Sequence, residues 1–134
     1  MELQPPVLVA VYGTLRKNHY NNYLLRNQAY VGLHRTTPEY TMYSLGGFPA
    51  VTLNGENEIV LEIFQVNDNE TLKNLDSLEG YPTFYNRKEI DTEYGKAWMY
   101  YMENDARDFS RLAKIASGDW NEFTKINEEV LEND

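Results

Sequence analysis

The sequence predicts an α+β domain, or a closely related mixed α/β arrangement. Val7-Leu8-Val9-Ala10-Val11-Tyr12 is an unbroken, β-rich apolar run, as expected of a strand buried on both faces. Further strand-like runs fill the middle of the chain. Helical patterns follow the first strand, interrupt the middle and close the chain.

Gly13 punctuates the first strand, and His19 to Asn27, with Tyr20, Tyr23 and Leu24, reads as a short helix. Pro38 to Leu45 reads as a strand, and Gly46-Gly47-Phe48-Pro49 is a strong turn signal. Glu58 to Val66 is a second, largely buried strand. Leu72, Leu75 and Leu78 recur every three residues, with Asn67 or Asp68 as the N-cap and Gly80 as the stop, so a helix fills the interval. Arg87 to Thr92 and Lys96 to Met102 form two strands joined near Tyr94-Gly95. Asp108 to Ala116 places Phe109, Leu112, Ala113 and Ala116 on one helical face. Asp119 then caps a last helix carrying Trp120, Phe123, Val130 and Leu131. The end is acidic, through Glu128, Glu129, Glu132 and Asp134, and reads as a solvated helix face and frayed tail over about 119–134.

At 134 residues the chain is read as one domain spanning 1–134. A chain of this size buries roughly two-thirds of the surface its unfolded form exposes, enough for a core without staples. It holds 12 Lys and Arg against 21 Asp and Glu, a net charge of −9, which weighs against nucleic acid and anionic membranes as partners. The absence of cysteine removes disulfides, thiol nucleophiles, cysteine–zinc sites and iron–sulfur ligation. The longest apolar run, Val7 to Tyr12, is far short of a membrane span. Met1-Glu2-Leu3-Gln4-Pro5-Pro6 lacks the basic and apolar regions of a secretory signal, so a cytoplasmic location is expected. The 11 tyrosines suit either pocket lining or sheet packing.

His19 and His34 fall in no metal-ligand spacing, and both read as surface residues. The serine-hydrolase elbow and both glycine-rich nucleotide motifs are missing. Two segments remain. Tyr12-Gly13-Thr14-Leu15-Arg16 follows a buried strand and precedes a helical pattern. A turn there presents consecutive backbone N–H groups, a ready site for a carboxylate, although five such residues also make a plain tight turn. Leu75-Asp76-Ser77-Leu78-Glu79-Gly80-Tyr81-Pro82 puts Glu79 at a helix C-terminus. The negative end of the helix dipole and partial burial both raise a carboxyl pKa there, towards that of a general base. The plain alternative is a solvent-exposed glutamate.

Taken together and in order, these segments resemble the γ-glutamylcyclotransferase-like (AIG2-like) family, in particular its short γ-glutamylamine cyclotransferases. Tyr12-Gly13-Thr14-Leu15-Arg16 resembles the family's binding loop. Leu45-Gly46-Gly47-Phe48-Pro49-Ala50-Val51 resembles its Gly-Gly-aromatic-Pro turn. Leu75 to Pro82, followed by Tyr85 and Arg87, resembles its catalytic segment. Trp98 and Tyr100 sit where an aromatic pair is usual, and Ser117-Gly118-Asp119-Trp120 is a familiar ending. The resemblance runs from about Val7 to Trp120. It departs after Arg16-Lys17, where Asn18 stands in place of a glycine; asparagine tolerates left-handed backbone better than most residues.

The resemblance implies a small mixed β-barrel flanked by helices, with a cavity between the Tyr12–Leu15 loop and Glu79. It implies conversion of a small γ-glutamyl amide into 5-oxoproline and a free amine, without metal or cofactor. The substrate's α-amine attacks its own γ-carbonyl. Gly13, Thr14 and Leu15 would hold the α-carboxylate and Glu79 would move the proton. Tyr85 is either an oxyanion donor or core packing. Arg16 and Arg87 pair with carboxylates of substrate or protein, and a structural ion pair is favoured for Arg87. Two other readings stay open. One is a non-catalytic small-molecule-binding or regulatory protein on the same fold. The other is an acidic interaction module acting through the last helix. The sequence does not fix the oligomeric state.

Overall fold

β1 (Val7–Val11) lies at the centre of a five-stranded sheet in the computed structural model, which describes residues 3–125. The spatial order is β2 (Ala29–Arg35), β5 (Val60–Val66), β1, β7 (Gly95–Tyr101), β6 (Asn86–Thr92). β1 runs antiparallel to β5, pairing Val9 with Phe64, and parallel to β7, pairing Ala10 with Met99. β3 (Tyr40–Ser44) and β4 (Pro49–Asn57) form a separate antiparallel pair. One helix, α1 (Asn69–Glu79), connects β5 to β6. The α+β class holds. The large sheet stays open between β2 and β6, so a barrel describes it only loosely.

The central strands are apolar on both sides because both sides are covered. Ala10, Leu61, Ile63, Ala97 and Met99 pack with Tyr40, Met42, Val51, Ile115 and Trp120. Val9, Val11, Phe64, Val66 and Met102 pack on the opposite face with Leu25, Leu72, Leu75 and Phe109. α1 begins where Asp68 accepts a 2.7 Å bond from the Thr71 N–H. It ends at Gly80, left-handed at φ 62°, whose N–H bonds the carbonyls of Asp76 and Ser77. Leu72 and Leu75 of the predicted stripe are buried, while Leu78 is exposed.

Several expectations are corrected. β2 is an edge strand exposed along most of its length, so it lacks the alternation that marks a half-buried strand. β4 starts at a proline and ends in the polar Asn54-Gly55-Glu56-Asn57, which hides its buried first half. His19 to Asn27 forms only a 3-10 turn over Asn22–Leu25. There the Asn22 side chain bonds the Leu15 carbonyl and the Asn21 N–H bonds the Thr14 carbonyl, in competition with helical pairing. Asp108 to Ala116 is not helical: Asp108 takes both the N–H and the hydroxyl of Ser110. The following backbone pairs with β3, with Ser44 N–H donating to Ala113 and Ile115 N–H to Met42. Asp119 does cap a closing helix, helical from 120 to 125, by accepting from the Asn121 N–H at 3.0 Å. Val130, Leu131 and the acidic run from Glu128 lie outside the described residues.

A buried charge cluster fastens the chain after β1. The Arg16 side chain is 4% exposed, and its Nε donates to Glu62 of β5 at 2.8 Å. Its Nη1 meets Asp119 at 2.9 Å, and the Lys17 N–H takes the other Glu62 oxygen at 2.8 Å. Arg16 is therefore a structural residue. Asn18, at φ 72°, carries the left-handed turn that a glycine would ordinarily make. Without Glu62 the buried Arg16 keeps only the partly exposed Asp119, and the Lys17 N–H loses its acceptor. Glu62→Ala is expected to cost about 3–5 kcal/mol, lowering the melting temperature on the order of 10 °C in thermal denaturation.

Candidate active site

The loop held by Arg16 forms one wall of a cavity. Arg16 N–H bonds the Gly13 carbonyl at 3.0 Å, closing a turn directly after the buried Tyr12. Among the described residues, no protein acceptor takes the N–H groups of Gly13, Thr14 or Leu15. Thr14 is fixed from both ends, its carbonyl accepting from the Asn21 N–H and its hydroxyl from the Asn21 amide. Glycine is required at 13 because a Cβ there would lie 2.7 Å from the Pro49 ring. Pro49 and Phe48 belong to the 46–49 turn, closed by Leu45 N–H to Phe48 at 2.8 Å with Gly46 at φ 105°.

The cavity encloses about 240 Å³. The Tyr12–Leu15 loop, Glu79 and Tyr85 all line it, so the structure brings every sequence-selected site residue to one place. Glu79 is the last residue of α1 and half-buried. Burial raises its carboxyl to about 7. Among the described residues no donor bonds that carboxylate, and it is the one charged side chain on the cavity wall.

Tyr85 follows because Gly80 turns the chain back: its N–H bonds the Glu79 carbonyl at 3.1 Å. Its hydroxyl donates to the Pro49 carbonyl at 2.8 Å. Burial, then the Glu79 charge, push this phenol well up, so it stays protonated. The buried Tyr12 hydroxyl has no hydrogen-bond partner among the described residues, and burial followed by the charges of Tyr85 and Glu79 raises it as well. Tyr100 of β7 completes the floor and donates to Asp76 at 2.6 Å. Arg87 meets the same Asp76 at 3.1 Å and lies 4.0 Å over the Tyr81 ring, tying the end of α1 to β6. Arg87 is thus in a structural ion pair.

Tyr20, Asn21, Phe48, Leu78, Phe84 and Tyr100 also line the cavity. Sequence reasoning does not select them for the site. The glycine-flanked turn and the third leucine of the α1 stripe were the available signals for Phe48 and Leu78. Among the described residues no cluster of His, Asp and Glu could hold a metal. No helix among them is long and apolar enough to cross a membrane.

Comparison with known proteins agrees with this geometry. The profile of the family described as "Gamma-glutamyl cyclotransferase, AIG2-like" matches residues 9–122. A Vibrio cholerae protein, provisionally named a gamma-glutamylcyclotransferase, is 40% identical over 113 residues, covering 84% of this chain and 94% of its own. The Escherichia coli gamma-glutamylcyclotransferase family protein YtfP is 36% identical over 112 residues, 84% of this chain and 94% of its own. An uncharacterised Pyrococcus horikoshii protein superposes with a TM-score of 0.77 at 28% identity, over 92% of this chain and 97% of its own. The glycine turn after β1, the carboxyl at the end of α1 and these matches along most of the sequence place the chain in the gamma-glutamyl cyclotransferase, AIG2-like family.

Proposed function

We propose that the protein is a γ-glutamyl (amine) cyclotransferase that releases 5-oxoproline and a free amine, with Glu79 as general acid and base. The observation that carries this reading is the pairing across one cavity of unpartnered loop N–H groups and a carboxyl raised to about 7. The loop N–H groups suit the substrate's α-carboxylate. With that end anchored, the flexible glutamyl chain folds so that its α-amine meets its own γ-carbonyl. Such positioning is worth about 7–11 kcal/mol.

In the proposed cycle the amine nitrogen bonds the γ-carbon while Glu79 takes a proton from it. The carbonyl becomes an oxyanion. Its collapse breaks the bond to the leaving nitrogen, which receives the proton back from Glu79. The ring product is 5-oxoproline. A base near neutrality suits both transfers, because it neither holds nor refuses the proton too strongly. The Tyr85 hydroxyl proton is given to Pro49, so Tyr85 serves as a wall and fixes the 46–49 turn.

Glu79→Gln is expected to lower turnover by about 10²–10⁴-fold. The assay is 5-oxoproline release from a panel of γ-glutamyl amines and amino acids, read by mass spectrometry. Saturable binding of 5-oxoproline with no turnover of any panel member would instead favour a binding protein. The pH profile of kcat/KM should show an acid limb with its midpoint near 7, since the base must be ionised. Stability should move the other way. The folded carboxyl sits at about 7 against 4.5 for the free side chain, so burial favours the protonated form. That contribution is complete below pH 4.5 and is lost as pH rises through 7. Chemical denaturation at pH 5 and pH 8 should show Glu79→Gln gaining on the wild type at the higher pH, by up to about 3 kcal/mol.

A further inference from the structure

We infer that the cavity mouth selects γ-glutamyl amides whose leaving amine is apolar or aromatic and carries no carboxylate. This rests on the cyclotransferase reading and extends it to the substrate class.

The mouth is built of exposed apolar groups. Tyr20 is 65% exposed, Phe84 48% and Leu78 41%, and all three line the cavity together with the half-buried Phe48. Large apolar side chains gathered at one opening mark a contact surface for a ligand. They come from three segments: the loop after β1, the 46–49 turn, and α1 with the chain just beyond it.

The rim is fixed before any ligand arrives. The Tyr20 hydroxyl donates to the Gly47 carbonyl at 3.2 Å, bridging two of the segments. The Phe48 and Phe84 rings meet edge-on at 6.5 Å, and Phe84 meets Tyr85 edge-on at 5.1 Å. Phe84 N–H bonds the Gly80 carbonyl at 2.7 Å, and a Cβ at Gly80 would lie 2.9 Å from the Phe84 Cβ. Phe84 is therefore held close beside the turn that ends α1 at Glu79. A leaving group departing past Glu79 meets aromatic surface.

The same mouth offers no counter-charge to a second carboxylate. Among the described residues the cavity wall carries no cationic side chain. The basic groups nearby in sequence are engaged elsewhere. Arg16 is bound to Glu62 and Asp119, Lys17 lies 3.7 Å over the Tyr30 ring, and His19 bonds Asn121. A carboxylate on the leaving amine would enter beside ionised Glu79, in a protein of net charge −9, without a counter-charge.

A matched substrate set tests this on the purified protein. γ-Glutamyl methylamide serves as the reference. γ-Glutamyl phenethylamide adds the aromatic group, and γ-glutamylphenylalanine adds a carboxylate to that. The expected kcat/KM for the phenethylamide is at least about tenfold above the methylamide, and the added carboxylate should lower it by about tenfold or more. Phe84→Ala should bring the phenethyl-to-methyl ratio towards one. Tyr23→Ala, 59% exposed and off the cavity wall, should leave the ratio as it is. A ratio within one protein does not depend on the fraction folded. Equal turnover of methylamide and phenethylamide, or a preference for γ-glutamylphenylalanine, would overturn the inference while leaving the cyclotransferase reading intact. Release of 5-oxoproline from none of the three would overturn both.

Discussion

A guanidinium that is almost wholly buried must be paired, and the geometry of the site follows from how Arg16 is paired. Its two partners are 46 and 103 residues away in sequence. Glu62 projects from a central strand, and the Asp119 oxygen that meets Arg16 also caps the closing helix. The Lys17 N–H fills the second oxygen of Glu62. The loop between β1 and the 3-10 turn is thus bolted to the sheet on one side and to the end of the fold on the other. With Arg16 held, the three residues before it line the cavity, and their N–H groups have no protein partner among the described residues. Loop amides can be donors to a ligand only if something else holds the loop, and this charge cluster does so.

The opposite wall is governed by the end of a helix. Gly80 adopts a left-handed conformation, takes up the last carbonyls of α1 and reverses the chain within one residue of Glu79. The reversal brings Phe84 and Tyr85 back to the cavity that Glu79 lines. Burial then holds the proton on Glu79 up to near neutral pH. Arg87, Asp76 and Tyr100 anchor the same helix end to β6 and β7. Loop and carboxyl are therefore set at a fixed separation by two rigid attachments, the condition under which a ring closure gains from positioning.

Much of this was legible in the sequence, for identifiable reasons. β1, β5 and β7 are buried on both faces, and continuous apolar runs reveal such strands. α1 was legible because its cap, its leucine stripe and its glycine stop all agree. Asn18 was legible as a left-handed position only through the resemblance, which puts a glycine there. β2 and β4 were not, because an exposed edge strand and a strand with a polar second half carry no alternation. The helical patterns at 19–27 and 108–116 failed where short polar side chains captured backbone groups and, in the second, where the remaining backbone paired with β3. Glu79 and the Tyr12–Leu15 loop were visible as motifs, but only by resemblance did they become more than a helix-end glutamate and a turn. Of the aromatic mouth only the turn carrying Phe48 and the leucine stripe carrying Leu78 were legible; their convergence with Tyr20 and Phe84 was not, since it arises only through the tertiary fold. The role of Arg16 was equally hidden, because nothing local to it points to Glu62 or Asp119.

The central claim is that the loop amides and Glu79 face one small ligand across a single cavity. A crystal structure of the protein with 5-oxoproline tests it most directly. The product's carboxylate is expected on the N–H groups of Gly13, Thr14 and Leu15, with its ring nitrogen within hydrogen-bond reach of the Glu79 carboxyl. A carboxylate bound elsewhere, or a ring turned away from Glu79, would contradict it.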